Sequence, residues 1–587
     1  MSVTALAQHR PYRPLSTSLL ILLAWVGLVG IVIGLLLHVA AAGTATLTGN
    51  NVPGLRETLE AFRSSPTHPV AGYADAVGPA PVVYALTGVM VTGLGVGGFW
   101  VAMILGRRAL DSRTGRTTPK HLSAIHAGPA LERAHQVMGP AGGSHSTEEL
   151  CVPVGTLRGV DLYGQHEDSY CLIAPARSGK TMCLAVGWVL GAPGPVVATG
   201  TKNDLLFLTA TMRRGAGTVQ AMDPAEVAGW PDRLRWNPVR GCQDPDEALE
   251  RGRAWAAGDP GRSGGKNSEW FNARAGEVLA YFLHAAALKP GGSMRDVMRW
   301  AADFEDEEPI RLLTESPYAE QVGWADLLKA RTRSRAGETT DSLRMTLSGL
   351  LAPLTSPRVL EAVCPVAEDE FDVAQFLSGP NTIYLLSGRG AGNVAPLLTM
   401  LTDHIVRAAQ RLSQHQPGGR LWPPLRLVLD EAANVAPLPD LPALMSDSGG
   451  RGITTMVICQ SFAQMDDLWG REGAEALRAN ATVTMYLPGI KEVDRLRALS
   501  EATGRYRAKR VSYSSGQDRG SVSTSSEWEN VMTTDDIRTM PVGTGLLFYR
   551  GLKAAHVTFT PWWERPDSKT IEAGKAGVEE LTGRAMQ

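Results

Sequence analysis

The stretch from Cys171 to Thr181, C-L-I-A-P-A-R-S-G-K-T, constrains this chain more than any other. Tyr170 to Ile173 is a short apolar run that reads as a buried strand, stopped by Pro175. From Lys180 a helical spacing follows through Thr181, Met182, Leu184, Ala185 and Val186. A strand, a glycine-containing turn and a helix, in that order, form the context in which a phosphate-binding loop works. Backbone N–H groups of the turn and the helix start point at phosphates, a lysine adds a point charge, and a hydroxyl can ligate Mg²⁺. The candidate nucleotide-binding residues are therefore Ala174, Pro175, Ala176, Arg177, Ser178, Gly179, Lys180 and Thr181. Ala174 stands where the pattern G-x-x-x-x-G-K-[ST] has its first Gly. The bland alternative is an ordinary strand-to-helix turn.

A chain of 587 residues has room for several domains around such a loop. Its net charge of −2 gives no global basic character, so contact with nucleic acid would have to come from a local positive surface. The six cysteines are scattered without a C-x-x-C pair, the pattern of buried thiols rather than of a disulfide frame or a zinc site. Leu19 to Leu37 carries no charge over 19 residues, about 28 Å as a helix, and Val82 to Gly106 carries none over 25. These predict transmembrane helices at 19–38 and 82–106, with Gly93 and Gly97 spaced for close packing in the second. Arg10 and Arg13 precede the first span, and Arg107, Arg108, Arg113, Arg116 and Lys120 follow the second. That bias predicts both termini in the cytoplasm and Val39 to Pro81 as a short outside loop. A cleaved signal peptide is the rival reading, from Ala40-Ala41-Ala42, but the apolar run is longer than such peptides carry.

Residues 1–106 thus read as a membrane anchor and 107–150, polar and poorly periodic, as a linker. Strands at Pro195 to Thr199 and Gly217 to Met222 follow the loop's helix, and the pattern resumes at Thr382 to Leu386, Leu425 to Glu431, Met456 to Gln460, Thr482 to Leu487 and Leu546 to Tyr549. Alternation with helices predicts an α/β fold with a parallel, doubly covered sheet over 151–243 and 355–563. Between them, 244–354 turns helical, with Ser268 to Leu288 and Asp341 to Leu354 as its clearest helices. It reads as an inserted all-α domain. Lys329, Arg331, Arg333 and Arg335 form its basic cluster, read as a solvated loop ahead of a DNA contact. Ser512 to Ser526 reads as a mobile loop, and 564–587 as a charged, loosely ordered tail.

The strand L-R-L-V-L-D-E supplies what hydrolysis of a nucleotide still needs. Asp430 is the expected Mg²⁺ holder, through water and together with Thr181; Glu431 is the expected base or orienter of the attacking water. Two acids at a strand end can also simply cap the next helix. Gln460 ends the following strand on the ligand-binding rim, where an amide can sense a γ-phosphate or satisfy a loop. Arg451, in G-G-R-G, is a further candidate catalytic residue, since the flanking glycines leave its backbone free to turn; the competing reading ties it to Asp447.

With these residues in hand, the chain resembles the type IV secretion coupling proteins, the TraG/TraD-like conjugation ATPases. The resemblance rests on the phosphate loop, D-E-A-A-N-V-A-P-L-P-D-L (Asp430 to Leu441), G-R-G (Gly450 to Gly452) and I-C-Q-S-F-A-Q (Ile458 to Gln464). Asp223-Pro224, Trp236-Asn237-Pro238, Leu487-Pro488-Gly489-Ile490 and D-D-I-R-T-M-P (Asp535 to Pro541) add to it. Asn203-Asp204 departs from the family's frequent G-E, leaving Lys202 without an assigned role. The resemblance implies a RecA-like P-loop NTPase with an inserted all-α domain, preceded by two transmembrane helices and assembled as a homo-hexamer. It implies ATP and Mg²⁺ as ligands, the bacterial plasma (inner) membrane as location, and an inserted domain that meets substrate. It implies partners too: single-stranded and possibly double-stranded DNA, a relaxase in its relaxosome, and the components of a type IV secretion channel. A related motor exporting proteins, an FtsK-like double-stranded DNA translocase and a non-hydrolysing scaffold are the alternatives.

Overall fold

The computed structural model describes residues 15–73, 77–138, 147–259, 266–334, 337–388, 394–515 and 520–587. Arg10, Arg13 and Arg335 lie outside them. The chain divides into two compact units, residues 1–113 and 114–587.

In the first unit the helix Leu15–Thr48 contains the expected first span and continues past it into the segment expected outside the helix. The threonines there do not break it; Thr44, Thr46 and Thr48 each turn their hydroxyl onto the carbonyl four residues back, at 2.8–2.9 Å. A second long helix, Ala80–Thr114, holds the other span. By length and composition, Ile31–Thr48 and Ala80–Trp100 are apolar enough to cross a membrane. Between the two lie the helix Leu55–Ser64 and a single turn at Pro69–Gly72.

In the second unit the described strands are β1 (Cys151–Leu157), β2 (Val160–Gln165), β3 (Tyr170–Ile173), β4 (Val196–Gly200), β5 (Val219–Met222), β6 (Thr382–Leu386), β7 (Leu425–Asp430), β8 (Ile453–Cys459), β9 (Val483–Tyr486), β10 (Arg505–Ser515), β11 (Gly520–Asn530), β12 (Thr544–Tyr549) and β13 (Ala555–Thr558). Eleven of them form one sheet in the order β2-β1-β13-β12-β9-β3-β8-β7-β4-β6-β5. From β9 to β5 every pairing is parallel; β12, β13, β1 and β2 extend that edge in antiparallel fashion. The parallel strands are covered on both faces, which is why β3, β4, β6 and β7 are apolar almost throughout and fully buried. The α/β, RecA-like class read from the sequence stands.

One face of the sheet shares its core with the helical insertion. Trp255, Leu279 and Phe282 belong to the same buried cluster as Ile383, Leu427 and Val457. The helices Pro245–Ala257 and Lys266–Leu288 cross at Gly252, where a Cβ would meet the Gly276 carbonyl oxygen at 2.3 Å. Glu247 then binds the insertion to the helix Ala395–Gln414, contacting His404 at 2.8 Å and Arg411 at 3.2 Å as well as its own Arg251. Of the basic cluster, Arg331 pairs with Glu277 and Arg333 with Glu307, as a solvated ionic surface does.

Three sequence expectations need correction. Residues 107–150 are not merely a linker. Pro119–Ile125 and Ala127–Met138 are helical turns laid on the sheet edge, Leu122 and Ile125 are buried, and His126 bridges to Leu162 of β2. The segment's polarity hid how few apolar residues such a strap needs. In the Ser-rich stretch, 512–515 and 520–526 are not loop but strand, in a two-stranded antiparallel hairpin of β10 with β11 paired from Arg505↔Asn530 to Ser515↔Gly520; 516–519 lie outside the described residues. Its serines obscured the alternation of Val511, Tyr513, Val522 and Thr524. Finally, the charged tail holds the helix Ser568–Thr582, which buries Ile571, Gly574 and Val578. That stripe at i, i+3 and i+7 is narrow enough to be masked by its charged neighbours.

A chain begun at Thr114 should keep the stability of the second unit. One begun at Thr147 should lose about 3–6 kcal/mol, the burial of Leu122 and Ile125. Urea unfolding of the two checks this.

Candidate nucleotide site

The site forms where β3, β8 and β7 end side by side. β8 lies between the strand that feeds the phosphate loop and the strand that ends in Asp430. With neighbouring strands about 4.8 Å apart, Lys180 must reach across roughly 10 Å, and the residue ending β8 sits in the gap. The loop is anchored by the Ala174 N–H, which donates to the Cys459 carbonyl at 2.8 Å. Ala174 keeps φ out of the left-handed region, so a methyl group in place of the family's Gly strains nothing. The positive φ falls on Arg177 (64°) and Gly179 (92°) instead. At Gly179 the turn also runs close against Cys183 and Val542, where an added Cβ would sit only 3.3–3.4 Å from their side-chain atoms. From Thr181 to Ala185 the helix opens with one wide π turn, then continues as α over Val186–Leu190.

The Lys180 ammonium lies 2.8 Å from Asp430 Oδ1 and 3.5 Å from Glu431 Oε1. The Thr181 hydroxyl donates to Asp430 Oδ2 at 3.3 Å, and the Thr199 hydroxyl holds the Asp430 carbonyl at 2.7 Å. Glu431 is fixed from several directions. The Gln460 amide donates to its Oε1 at 2.8 Å, and the Thr201 hydroxyl and Asn434 amide donate to its Oε2 at 2.9 and 3.5 Å. Its backbone is left-handed, φ 52° and ψ 43°, a conformation costing a non-glycine residue about 1–2 kcal/mol. That strain turns the carboxylate off the strand axis toward the loop.

Electrostatics follow from this packing. Burial alone would lower the Lys180 pKa, but the two carboxylates outweigh it and hold it above the ordinary lysine value. Burial raises Asp430 despite the neighbouring ammonium. For Glu431, burial pushes up, but Lys180, Thr201, Asn434 and Gln460 together win and hold it below the usual glutamate value, ionised. Magnesium fits the oxygens present. Asp430 Oδ1 is buried with the Lys180 ammonium 2.8 Å away as its charge-assisted partner, and the Thr181 hydroxyl is beside the other oxygen, a carboxylate and a hydroxyl of the kind a hard cation takes. Ser178 Oγ in the loop is buried without a partner. A cavity of about 1300 Å³ opens over these groups, reached also by Val542, Trp563, Arg358 and Arg584.

Of the residues read from the sequence, the loop, Asp430, Glu431 and Gln460 come together. Arg451 does not: it precedes β8, at the opposite end of that strand from Gln460, and its Nε bonds Asp447 Oδ2 at 2.6 Å. Three contributors were missed. Thr201 was visible in G-T-K-N-D, and Gln464, whose side chain caps the Gln460 N–H at 3.1 Å, in Q-S-F-A-Q. Asn434, in D-E-A-A-N, is the third.

Fold and site together define a P-loop protein of the RecA-like class. A family model described as the TraM recognition site of TraD and TraG matches residues 424–542. The conjugal transfer protein TraG of Escherichia coli is 24% identical over 416 residues, 65% of this chain and 62% of that protein, so the chain spans less than two thirds of its relative's length. Among solved structures, the bacterial conjugative coupling protein TrwBdeltaN70, unbound, superposes with a TM-score of 0.51 at 18% identity, covering 69% of this chain and 88% of that one. The plasmid coupling protein TrwB in complex with the ATP analogue ADPNP gives 0.50 at 17%, with 74% and 93% covered. TrwB in complex with ADP and Mg²⁺ gives 0.50 at 16%, with the same 74% and 93%. The resemblance to the type IV coupling proteins is borne out.

Lys180→Ala should destabilise the protein by about 3–5 kcal/mol near pH 8, because Asp430 is left buried and unpaired. Since the stranded carboxyl can then neutralise itself by taking a proton, the deficit should shrink as pH falls. Adding Asp430→Asn should restore most of it. Denaturation of the single and double variants at pH 8 and pH 5 measures both.

Proposed function

We propose that this chain is a membrane-anchored ATP hydrolase that couples a relaxase-bound plasmid to a type IV secretion channel and powers transfer of single-stranded DNA. The observation that carries it is the Lys180 ammonium held between Asp430 and Glu431 with Gln460 at its side. Lys180 exchanges these carboxylates for the β- and γ-phosphates of ATP. Thr181 and, through water, Asp430 would hold Mg²⁺, which would supply neutralising charge to the phosphate oxygens. Relieved of its ammonium, Glu431 becomes a better base and orients or deprotonates the attacking water, while Gln460, bonded to it, senses whether a γ-phosphate is present. Relatives titled as coupling and conjugal transfer proteins, one with ADPNP and one with ADP and Mg²⁺, support this reading.

The hairpin supports a nucleic-acid partner. Cross-strand register puts Arg505, Arg507 and Lys509 on one face with Asn530, Trp528 and Ser526, and no acid among them. Trp528 is 63% exposed, with the Arg507 guanidinium 5.6 Å from its ring centre. The opposite face takes Glu527 and Glu529, paired with Arg510. Cations interleaved with an exposed aromatic ring suit a single strand, through phosphate and base stacking. The two apolar helices anchor the chain in the plasma membrane, with both termini in the cytoplasm. A homo-hexameric ring, the relaxosome and the secretion channel complete the proposal; there Arg451 serves a neighbouring subunit once released from Asp447.

In nanodiscs, Mg²⁺-dependent ATP hydrolysis by the full chain should rise several-fold with single-stranded DNA. Arg505→Glu/Arg507→Glu/Lys509→Glu should abolish the rise, leave basal hydrolysis intact and flatten the salt dependence of DNA binding by about 2 in log–log slope. Hydrolysis indifferent to DNA but stimulated by an exported protein would favour the protein-exporting motor.

A further inference from the structure

The segment after the helix Ser568–Thr582 does something the nucleotide chemistry above does not account for. Gly583 ends that helix in the left-handed conformation, φ 64°, and the chain turns toward the cavity. There the Asn203 Nδ2 donates to the Ala585 carbonyl at 3.1 Å, and the Gln587 N–H donates to Asn203 Oδ1 at 2.9 Å. Both ends of one carboxamide, on a residue 1% exposed, are spent on the backbone of a segment some 380 residues away. Arg584 donates to the Glu226 carbonyl, and Arg584 and Gln587 line the same cavity as Lys180 and Glu431. The helix itself is keyed to Asp204–Arg214, the helix that Asn203 begins: Gly574 lies against Thr211, whose hydroxyl donates to its carbonyl at 3.1 Å.

Asn203 occupies a helix N-cap, where an asparagine ordinarily accepts from the first turn's N–H groups. It makes no such bond here, because its amide is turned to the tail. Two residues before it, Thr201 is one of the groups fixing Glu431. We infer that Asn203 and Arg584–Gln587 form a latch that holds the Thr201 segment in place and so positions Glu431 for hydrolysis. This rests on the ATP-hydrolysing reading of the site. Asn203 is a positioning residue: it touches neither the phosphate loop's lysine nor the acids, and acts through Thr201.

The test uses the full chain with Asn203→Ala, Thr201→Val and the double variant. Asn203→Ala should lower kcat about tenfold while affinity for a non-hydrolysable ATP analogue stays within about twofold. Thr201→Val should do the same, and the double variant should fall no further than either alone, since both act through one contact. Effects that multiply, an analogue affinity that falls with kcat, or an unchanged kcat in Asn203→Ala would each overturn the latch. Hydrogen exchange gives an arm independent of activity. Asn203→Ala should lose protection at Ala585–Gln587 and at Thr201, while the helix Asp204–Arg214 keeps its own; unchanged protection at Ala585–Gln587 overturns the inference. A parent protein that hydrolyses no ATP removes the underlying reading instead, and the exchange result still decides whether the latch exists.

Discussion

A single ammonium between two carboxylates organises this protein. Lys180, Asp430 and Glu431 come from strand ends that are not neighbours, and each would be costly to bury alone. Their pairing fixes much else: β8 must intervene, its last side chain must be able to bridge, and the turn after β7 must bend sharply enough to aim Glu431. Gln460 meets the second demand and the left-handed backbone of Glu431 the third. Any anion able to take the lysine also changes the charge around Glu431. In the proposed mechanism, ligand binding and the readiness of Glu431 as a base thereby become one event.

How much of this was legible depended on range. The phosphate loop was readable because strand, turn and helix are contiguous, and D-E because it directly ends an apolar strand. Gln460 could be placed on the rim from the strand it ends, yet its bond to Glu431 needed the strand order. Thr201 could not be assigned: a threonine in a loop gives no sign that its hydroxyl meets an acid 230 residues later. The same holds for Asn203 and the tail. Their interaction is a pair of hydrogen bonds between the Asn203 carboxamide and the tail's main chain, which leave no pattern in the tail's side chains.

Amphipathic patterns were missed where charge or serine dominated composition. The strap 115–138 buries little apolar area, and the helix Ser568–Thr582 only a narrow stripe, so neither raises the local hydropathy. The helical insertion was the reverse case. Its helices were easy to see from period and caps, while its sharing of a core with the sheet and its tie through Glu247 to the helix Ala395–Gln414 are properties of the contacts alone.

Glu431→Gln tests the central claim most directly, because the amide preserves size and most hydrogen bonds but cannot take a proton. Rapid-quench measurement of a single turnover with Mg²⁺ and ATP should find the variant loaded with intact ATP at near the parent's affinity and forming almost no ADP. ADP formed at close to the parent's rate would remove Glu431 from the chemistry and contradict the account.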